Sequence, residues 1–460
     1  MNPDATTLIR NGLVIGEEGA SQQDVLLVGE RIEHVAPGIS EQADRVFDAE
    51  GLLVLPGAVD PHVHFNDEFM GTVSVHDFFT GTLAAAHGGV TSVIDFSNQA
   101  PGASMMSTLE AKFEEAEGRA LVDWGVHPVI TRLSPEVLDE IPLLVERGAP
   151  TIKCYMTYRS EGLMMEKPEL TQILARLKDA NGMLMLHAED NDIIEANVSR
   201  LIATGNTQAV YHARSRPTQA EDIAIRKAVR VARETGGRVF VVHLASGTGL
   251  DIIKRARTQG VDIVCETCTH YLIFTDAELE REDGIKWICS PPLRDRSVQK
   301  ALWSGLQEGH IAQVSSDDSA YSWEAKLLGR DRFDLCPNGI PGIEVRLPLL
   351  YSEGVAKDRI SLSQWISLIS TAPARLFGLF PQKGTIALGS DADLVLFDPE
   401  ERWTMGPDTL HMAPDWAAYE GIEVLGRVKK VISRGELIID GGECLAQKGR
   451  GRYLHRRLES

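Results

Sequence analysis

Eight apolar, strand-like runs alternate with amphipathic stretches along the middle of this 460-residue chain, and this alternation constrains the fold most strongly. The runs span residues 59–65, 89–96, 124–130, 151–156, 183–189, 238–244, 262–267 and 312–317. Nearly continuous apolar strands separated by helices indicate a parallel sheet that is covered on both faces. Eight such units predict an α/β fold, the (β/α)8 TIM barrel, whose active site lies at the C-terminal ends of the strands.

One of the intervening helices is marked clearly in the sequence. Thr218, followed three residues later by Glu221, fits a capping box. Gly236-Gly237 is a typical end signal. Between these signals, apolar residues recur at helical spacing at Ile225, Val229 and Ala232.

Both ends of the chain are predicted to be β-structure. Asn11-Gly12 is typical of the two-residue turn of a hairpin, and residues 24–35 indicate a second hairpin. After residue 375, the segment 383–397 ends in a strand, and 428–439 indicates a hairpin about Arg434-Gly435. We expect these segments to form one small β-sandwich domain with the barrel inserted between its two halves.

The predicted domain organisation follows from this pattern. It consists of an N-terminal β-sandwich segment (1–55), the barrel (56–375), a C-terminal β-sandwich segment (376–445) and a C-terminal tail (446–460). The tail is basic and poor in apolar residues, so contact with another subunit is one expectation for it.

The composition excludes several functional classes. A net charge of −20 argues against a nucleic-acid or anionic-membrane surface. No apolar run approaches the roughly 18 residues that span a bilayer, and the first residues lack the basic and apolar regions of a secretory signal. Six cysteines in a chain of this length do not indicate a disulfide framework, and the isolated pair Cys265 and Cys268 is interpreted as reduced. We expect a cytoplasmic protein.

Polar side chains stand at the ends of the predicted strands. His62 and His64 are two residues apart in the first run, so they point to the same face of a strand. Later runs carry Lys153, His187, His243 and Asp317 at corresponding positions. A single histidine at such a position is more often a packed core residue, but all six at one barrel mouth favour a zinc-type metal centre.

Lys153 is the unusual member of this set, because a protonated lysine would repel a divalent cation. A salt bridge to a carboxylate and a substrate-binding role are two interpretations. A third is a carbamate: burial and nearby positive charge lower the amine pKa, and the neutral amine adds CO2. The product is an anion with two oxygens that can bridge two metal ions.

Motifs along nearly the whole chain resemble those of the amidohydrolase superfamily, specifically the cyclic amidohydrolases: dihydropyrimidinase and hydantoinase, with allantoinase and dihydroorotase as cousins. They include AVDPHVHF, TIKCYMTYR, LHAED, VVHLASG, ETCTHY, SPPLRD, SSDD and PNGIPGIEVRLPLLYSEGV. The resemblance implies a barrel with a composite β-sandwich and a homotetramer. It places the metal ligands at His62, His64, Lys153 as N6-carboxylysine, His187, His243 and Asp317.

The same resemblance implies a mechanism with two divalent metal ions per chain, expected to be zinc. A hydroxide between the metals attacks a ring carbonyl, and Asp317 accepts its proton and returns it to the leaving nitrogen. Tyr158 donates a hydrogen bond to the developing oxyanion. Ser290 and Asn338 bind the amide edge of the ring through backbone groups, and Phe69 is a substrate-binding residue on the loop after the histidine pair.

The chain departs from the family pattern at three places. Asp318 stands where these families carry His or Asn, and it either binds a cationic substrate group or points away from the site. The loop 66–71 is more polar than in typical hydantoinases and tends to shape the pocket for the ring substituent. Asn66 lies where dihydroorotases carry an arginine, which weakens the dihydroorotase interpretation.

The leading hypothesis is therefore hydrolysis of a dihydropyrimidine or a 5-substituted hydantoin to an N-carbamoyl amino acid. An allantoinase, or a hydrolase of another cyclic amide, is the alternative enzyme. A catalytically silent, dihydropyrimidinase-like scaffold protein is the alternative of a different class, and retention of all six ligand positions argues against it.

Overall fold

The computed structural model describes residues 4–459, which form a barrel and a sheet domain. Its strands are β1 (Thr6–Gly16), β2 (Gly19–Val28), β3 (Arg31–Ala36), β4 (Arg45–Asp48), β5 (Leu53–Pro56), β6 (Ala58–Val63), β7 (Glu68–Phe69), β8 (Thr72–Val73), β9 (Val90–Asn98), β10 (Asp123–Val129), β11 (Thr151–Tyr155), β12 (Met183–His187), β13 (Arg238–Val241), β14 (Ile263–Cys268), β15 (Gln313–Ser315), β16 (Leu394–Thr404), β17 (Glu423–Ser433), β18 (Glu436–Asp440) and β19 (Glu443–Cys444).

The α-helices alternate with the barrel strands. They are α1 (Thr80–His87), α2 (Met105–Ala116), α3 (Pro135–Glu146), α4 (Lys167–Asp179), α5 (Asn191–Ala203), α6 (Val210–Ser215), α7 (Thr218–Thr235), α8 (Gly247–Thr258), α9 (Thr269–Ile273), α10 (Arg296–Gln307), α11 (Trp323–Lys326), α12 (Arg346–Leu350), α13 (Leu362–Ile366) and α14 (Ala372–Leu376). Within residues 4–459, no helix is both long and apolar enough to cross a bilayer.

The barrel sheet confirms the predicted (β/α)8 fold. Its eight strands pair in parallel in the order β6, β9, β10, β11, β12, β13, β14, β15. A parallel bridge from Val63 to Asp318 and the hydrogen bond from Asp318 N to His62 O return the last strand to the first. The strands are buried on both faces, as expected for apolar runs covered by helices.

The two ends of the chain form one sheet domain, as predicted. Nine strands make up this sheet, in the order β19, β18, β17, β16, β5, β1, β2, β3, with β4 also paired to β1. The antiparallel pair β16 and β5 joins the second terminal segment to the first. The predicted hairpin about Arg434-Gly435 is confirmed by β17 and β18. The exact domain boundaries stay a prediction.

Buried charges fasten this sheet domain to the barrel. Lys383 Nζ lies 2.6 Å from an Asp123 carboxylate oxygen on β10 and 2.8 Å from Asp393, and Arg434 Nε lies 3.0 Å from Asp123. Burial opposes ionisation of Asp123, but Lys383 and Arg434 outweigh it and lower its pKa. Paired buried charges of this kind favour one relative position of the two units, because separating them leaves charges unpaired in the interior.

Two local sequence predictions are wrong. Asn11 has a positive φ of 59° within a register shift of β1, so Asn11-Gly12 forms a β-bulge, and the hairpin turn follows Gly16 instead. Thr218 and Glu221 do not form the predicted capping box. The N-cap residue is Pro217, and the buried Glu221 side chain instead accepts a hydrogen bond from Ala245 N at 2.8 Å. Tertiary contacts therefore override the local signal at both places.

The C-terminal segment packs on the barrel of its own chain. Leu454 N donates to Trp124 O at 2.7 Å. Arg456 is fully buried, and its Nη1 donates to Thr151 Oγ1 at 3.0 Å. Leu454 and Leu458 join the apolar cluster inside the barrel. The segment thus closes the end of the barrel where the strands begin.

Candidate metal centre and active site

The polar strand ends meet at the C-terminal mouth of the barrel, as their positions on the strands predict. They surround an open cavity. Its lining includes five of the six predicted ligand residues, His64, Lys153, His187, His243 and Asp317. His62 lies directly beneath, with its ring centroid 5.4 Å from those of His64 and His243. Convergence of these residues from successive strands follows from the parallel arrangement alone.

The first half of the cluster is formed by His62, His64 and Asp317, whose candidate ligand atoms all lie within 4.8 Å of one another. Asp317 Oδ1 lies 2.9 Å from His62 Nε2 and 3.4 Å from His64 Nε2. Burial raises the pKa of Asp317, but the two imidazoles outweigh it and hold the pKa well below its usual range. Asp317 is therefore a carboxylate, which is the form that binds a metal ion.

Both imidazoles are oriented by carboxylates behind them. His62 Nδ1 lies 2.5 Å from Glu266 Oε1 on β14, and His64 Nδ1 lies 2.9 Å from Asp67 Oδ2. A carboxylate on one ring nitrogen fixes the tautomer and directs the other nitrogen toward a metal. Burial lowers the pKa of His64, but its hydrogen bonds to Asp317 and Asp67 raise it to about 9.

The second half of the cluster contains His187 and His243, whose ring centroids are 4.5 Å apart. Burial lowers the pKa of both residues, so both rings are neutral and can act as ligands. His243 Nδ1 is buried and has no hydrogen-bond partner within residues 4–459. An unpaired buried nitrogen is costly, and a metal ion satisfies it, so the donor set fits metal binding.

Lys153 lies between the two halves and is 1% exposed. Its Nζ lies over the rings of Phe96 and Tyr155, at 4.7 and 5.1 Å from their centroids. Among the described residues it has no ion-pair partner, so the salt-bridge interpretation fails. Burial lowers the pKa of Lys153 to about 8, although the negative charges of Asp317 and Glu266 act to raise it. A buried amine with a lowered pKa is readily deprotonated.

The backbone is strained at three residues of the site. Tyr158, His243 and Asp317 have φ values of 66°, 37° and 50°. Non-glycine residues seldom adopt positive φ, and such strain clusters at functional sites. The surrounding fold holds these three side chains in place at a conformational cost.

The four predicted substrate-binding residues line the same cavity. Tyr158 Oη accepts a hydrogen bond from Asn338 Nδ2 at 3.3 Å, and the Tyr158 ring meets Phe69 edge-on at 5.0 Å. Ser290 Oγ lies 3.5 Å from His212 Nε2. Buried Lys326 donates to Ile288 O and Pro337 O at 2.9 and 3.0 Å, and thereby holds together the two segments that carry Ser290 and Asn338.

Asp318 points away from the cavity, which is the second of the two roles expected for it from the sequence. Its Oδ2 lies 2.6 Å from His76 Nδ1, and its Oδ1 accepts from Gly342 N and Ile343 N at 2.8 and 3.1 Å. It is fully buried. A cationic substrate group therefore cannot reach this carboxylate, and its role is to fix the end of β15.

Several supporting residues were missed by sequence reasoning. Glu189 Oε2 lies 2.7 Å from His187 Nε2 and 2.5 Å from Arg216 Nη1, and the Arg216 guanidinium lies 5.1 Å from the Tyr158 ring centre. Glu266 and Asp67 support the histidine pair. The one available signal was a charged residue within or just after an apolar strand, as in ETCTHY and LHAED.

Comparison with known proteins gives the same result over almost the full length. The amidohydrolase family model matches residues 53–438. A D-hydantoinase of Geobacillus stearothermophilus is 36% identical over 98% of this chain and 96% of its own. A D-phenylhydantoinase of Escherichia coli is 38% identical over 98% of both chains. The crystal structure of dihydropyrimidinase from Brevibacillus agri NCHU1002 superposes with a TM-score of 0.97 at 38% identity, covering 99% of both chains.

A barrel that gathers four buried histidines and an ionised aspartate at its mouth defines a hydrolase of the metal-binding barrel class. More specifically, the chain belongs to the dihydropyrimidinase and D-hydantoinase family of cyclic amidohydrolases. It is accordingly a hydrolase of carbon–nitrogen bonds.

Proposed function

We propose that this enzyme opens the ring of a dihydropyrimidine or a 5-substituted hydantoin by hydrolysis, yielding an N-carbamoyl amino acid. The observation that carries the proposal is the meeting of His62, His64, Lys153, His187, His243 and Asp317 at one barrel mouth, with the unpaired His243 Nδ1 among them. Relatives named for hydantoin and dihydropyrimidine substrates support the choice of ring.

Two divalent ions, zinc in our proposal, fit this donor set. His62, His64 and Asp317 would hold one ion, and His187 with His243 would hold the other. Bound there, such ions supply Lewis acidity and a water of lowered pKa. Zinc accepts imidazole and carboxylate ligands readily, so the donors present match the metal proposed.

Lys153 would join the two halves as a carbamate, N6-carboxylysine. In this step the amine lone pair bonds to the carbon of CO2, and the amine loses one proton to solvent, so the side chain changes from a neutral amine to an anion. Three features favour it: complete burial, a lowered pKa and the lack of an ion-pair partner within residues 4–459. A retained ammonium would instead leave a buried cation beside the metal ions, which is unfavourable.

The protein's own side chains supply the proton transfers and the orientation of the ring. Asp317, held as a carboxylate, accepts a proton from the attacking water and delivers it to the departing ring nitrogen. Tyr158 Oη donates a hydrogen bond to the carbonyl oxygen as negative charge develops there. Backbone groups at Ser290 and Asn338 hold the amide edge of the ring, and Phe69 packs against its substituent.

We further propose a cytoplasmic homotetramer, on the strength of the family resemblance. The alternative enzyme, an allantoinase, would use the same cluster of metal-binding residues and would differ only in the ring that it opens. The scaffold alternative is disfavoured because all six ligand positions are retained and brought together.

The test is ring-opening turnover of zinc-loaded protein on five compounds: dihydrouracil, hydantoin, a 5-aryl hydantoin, allantoin and dihydroorotate. We expect turnover of at least one of the first three, and its loss in Asp317→Asn. The matched control is Asp251→Asn, which removes a carboxylate from the exposed face of α8 and leaves turnover intact. Turnover confined to allantoin or dihydroorotate would contradict the proposed substrate class.

A further inference from the structure

A second group of metal-ligating side chains lies outside the barrel mouth, between the barrel and the terminal sheet. It consists of His87 at the end of α1, Glu344 just before α12, and His411 in the connection between β16 and β17. Their candidate ligand atoms all lie within 4.8 Å of one another. The two imidazole rings are stacked, with centroids 3.4 Å apart and planes inclined by 4°.

The backbone around this cluster is built for close approach. A side chain at Gly88 would meet the Glu344 backbone at 2.7 Å, so glycine lets the end of α1 contact the segment before α12. Glu344 is 6% exposed, and it accepts hydrogen bonds from His411 N at 2.6 Å and from His411 Nδ1 at 2.7 Å. The carboxylate therefore brings a half-exposed loop histidine against a buried helix end.

His87 is the unsatisfied member of the cluster. It is 9% exposed, and neither of its ring nitrogens has a hydrogen-bond partner among residues 4–459. Burial and the adjacent His411 lower the pKa of His87 to about 3, so the ring is neutral and offers a free lone pair. A ring nitrogen that faces a cavity and has no protein partner is free to bind a ligand.

The charges around the cluster permit a cation. Arg427 lines the same small cavity, but its Nη1 is paired with Glu401 at 2.9 Å. Glu344 is the one carboxylate that lines the cavity within the described residues. Two imidazoles and one carboxylate are a donor set that zinc-type ions use, with a fourth position for water.

We propose that His87, Glu344 and His411 bind one further zinc-type divalent ion. A tetrahedral ion with bonds near 2.0–2.1 Å places its ligand atoms about 3.4 Å apart. On binding, the three side chains would therefore rotate toward the ion, and the half-exposed His411 would move most. The same connection donates from Trp416 Nε1 to Tyr321 O at 2.9 Å, and Tyr321 lines the catalytic cavity. The ion would therefore fasten a segment that supports the wall of the active site.

The test is the zinc content of tag-free protein, loaded with excess zinc and dialysed, determined by mass spectrometry of the metal. We expect His411→Ala to hold one zinc ion per chain fewer than the wild type. His34→Ala removes an exposed histidine of β3 and is the matched control, with unchanged zinc content. Equal zinc content in the wild type and His411→Ala would overturn the proposal.

A second readout separates this ion from those of the barrel. In Lys153→Ala, which alters only the barrel cluster, changing His411 to alanine should still remove one zinc ion per chain. Added zinc should also raise the melting temperature of the Lys153→Ala protein more than that of the double variant. If zinc raises both melting temperatures equally, the cluster does not bind the ion. The outcome is independent of turnover, so it stands apart from the proposed reaction.

Discussion

Replacing Tyr158 with phenylalanine isolates the oxyanion role proposed for its hydroxyl. The ring is 9% exposed and packs against Phe69 and His187, at centroid distances of 5.0 and 5.3 Å. Phenylalanine keeps these contacts and removes one hydroxyl. Loss of an oxyanion donor lowers kcat by about 10²–10³-fold, while Asn338 Nδ2 loses one acceptor, which costs about 1 kcal/mol of stability.

Steady-state ring-opening kinetics on the best substrate of the panel measures this effect, with zinc content and melting temperature measured on the same sample. We expect kcat to fall with little change in KM or bound metal. Tyr453→Phe is the matched control, because it removes the same hydroxyl from a hydrogen bond to Arg147 O at the opposite end of the barrel. A loss below about threefold in kcat for Tyr158→Phe would refute an oxyanion role, since one donor is worth far more.

Three further predictions concern residues that support the site. Lys153→Ala should abolish ring opening and lower the metal content of the barrel, measured by metal analysis. Asp318→Ala should cost about 3–5 kcal/mol in denaturant unfolding, because it leaves three buried donors, His76 Nδ1, Gly342 N and Ile343 N, without their acceptor. Burial raises the pKa of Glu189, but Arg216 and His187 outweigh it and lower the pKa to about 2 from 4.5. This stabilisation, about 3 kcal/mol, is present above pH 4.5 and is lost as the pH falls through 2, so Glu189→Gln should flatten acid unfolding over that range.

The barrel and its mouth were predictable because both depend on short-range patterns. Each apolar run specifies a buried strand locally, and the parallel topology then brings the strand ends together without further information. The positions of His187 and His243 each follow from their own strand, and neighbouring parallel strands then place the two residues side by side. The same reasoning located Lys153 and Asp317, while the joining of the two terminal segments in one domain followed from the β pattern that they share.

The features that could not be predicted depend on contacts between residues far apart in the chain. Asp318 points away from the cavity because His76, 242 residues earlier, and the backbone of Gly342 bind it. Asn11-Gly12 has the local chemistry of a turn, yet the flanking apolar residues continue one strand through a bulge. The cluster of His87 and His411 joins residues 324 positions apart in number (411 − 87) and carries no motif.

Ring opening by this enzyme should depend on metal ions bound at the barrel mouth, and a zinc titration measures that dependence. Metal-free His411→Ala protein, in which the barrel ions alone are counted, would be titrated with zinc in the presence of bicarbonate while hydantoin or dihydrouracil turnover is followed. We predict no turnover without metal and a maximum at two zinc ions per chain. Full turnover of the metal-free protein, or none on any cyclic amide at two ions per chain, would contradict the account.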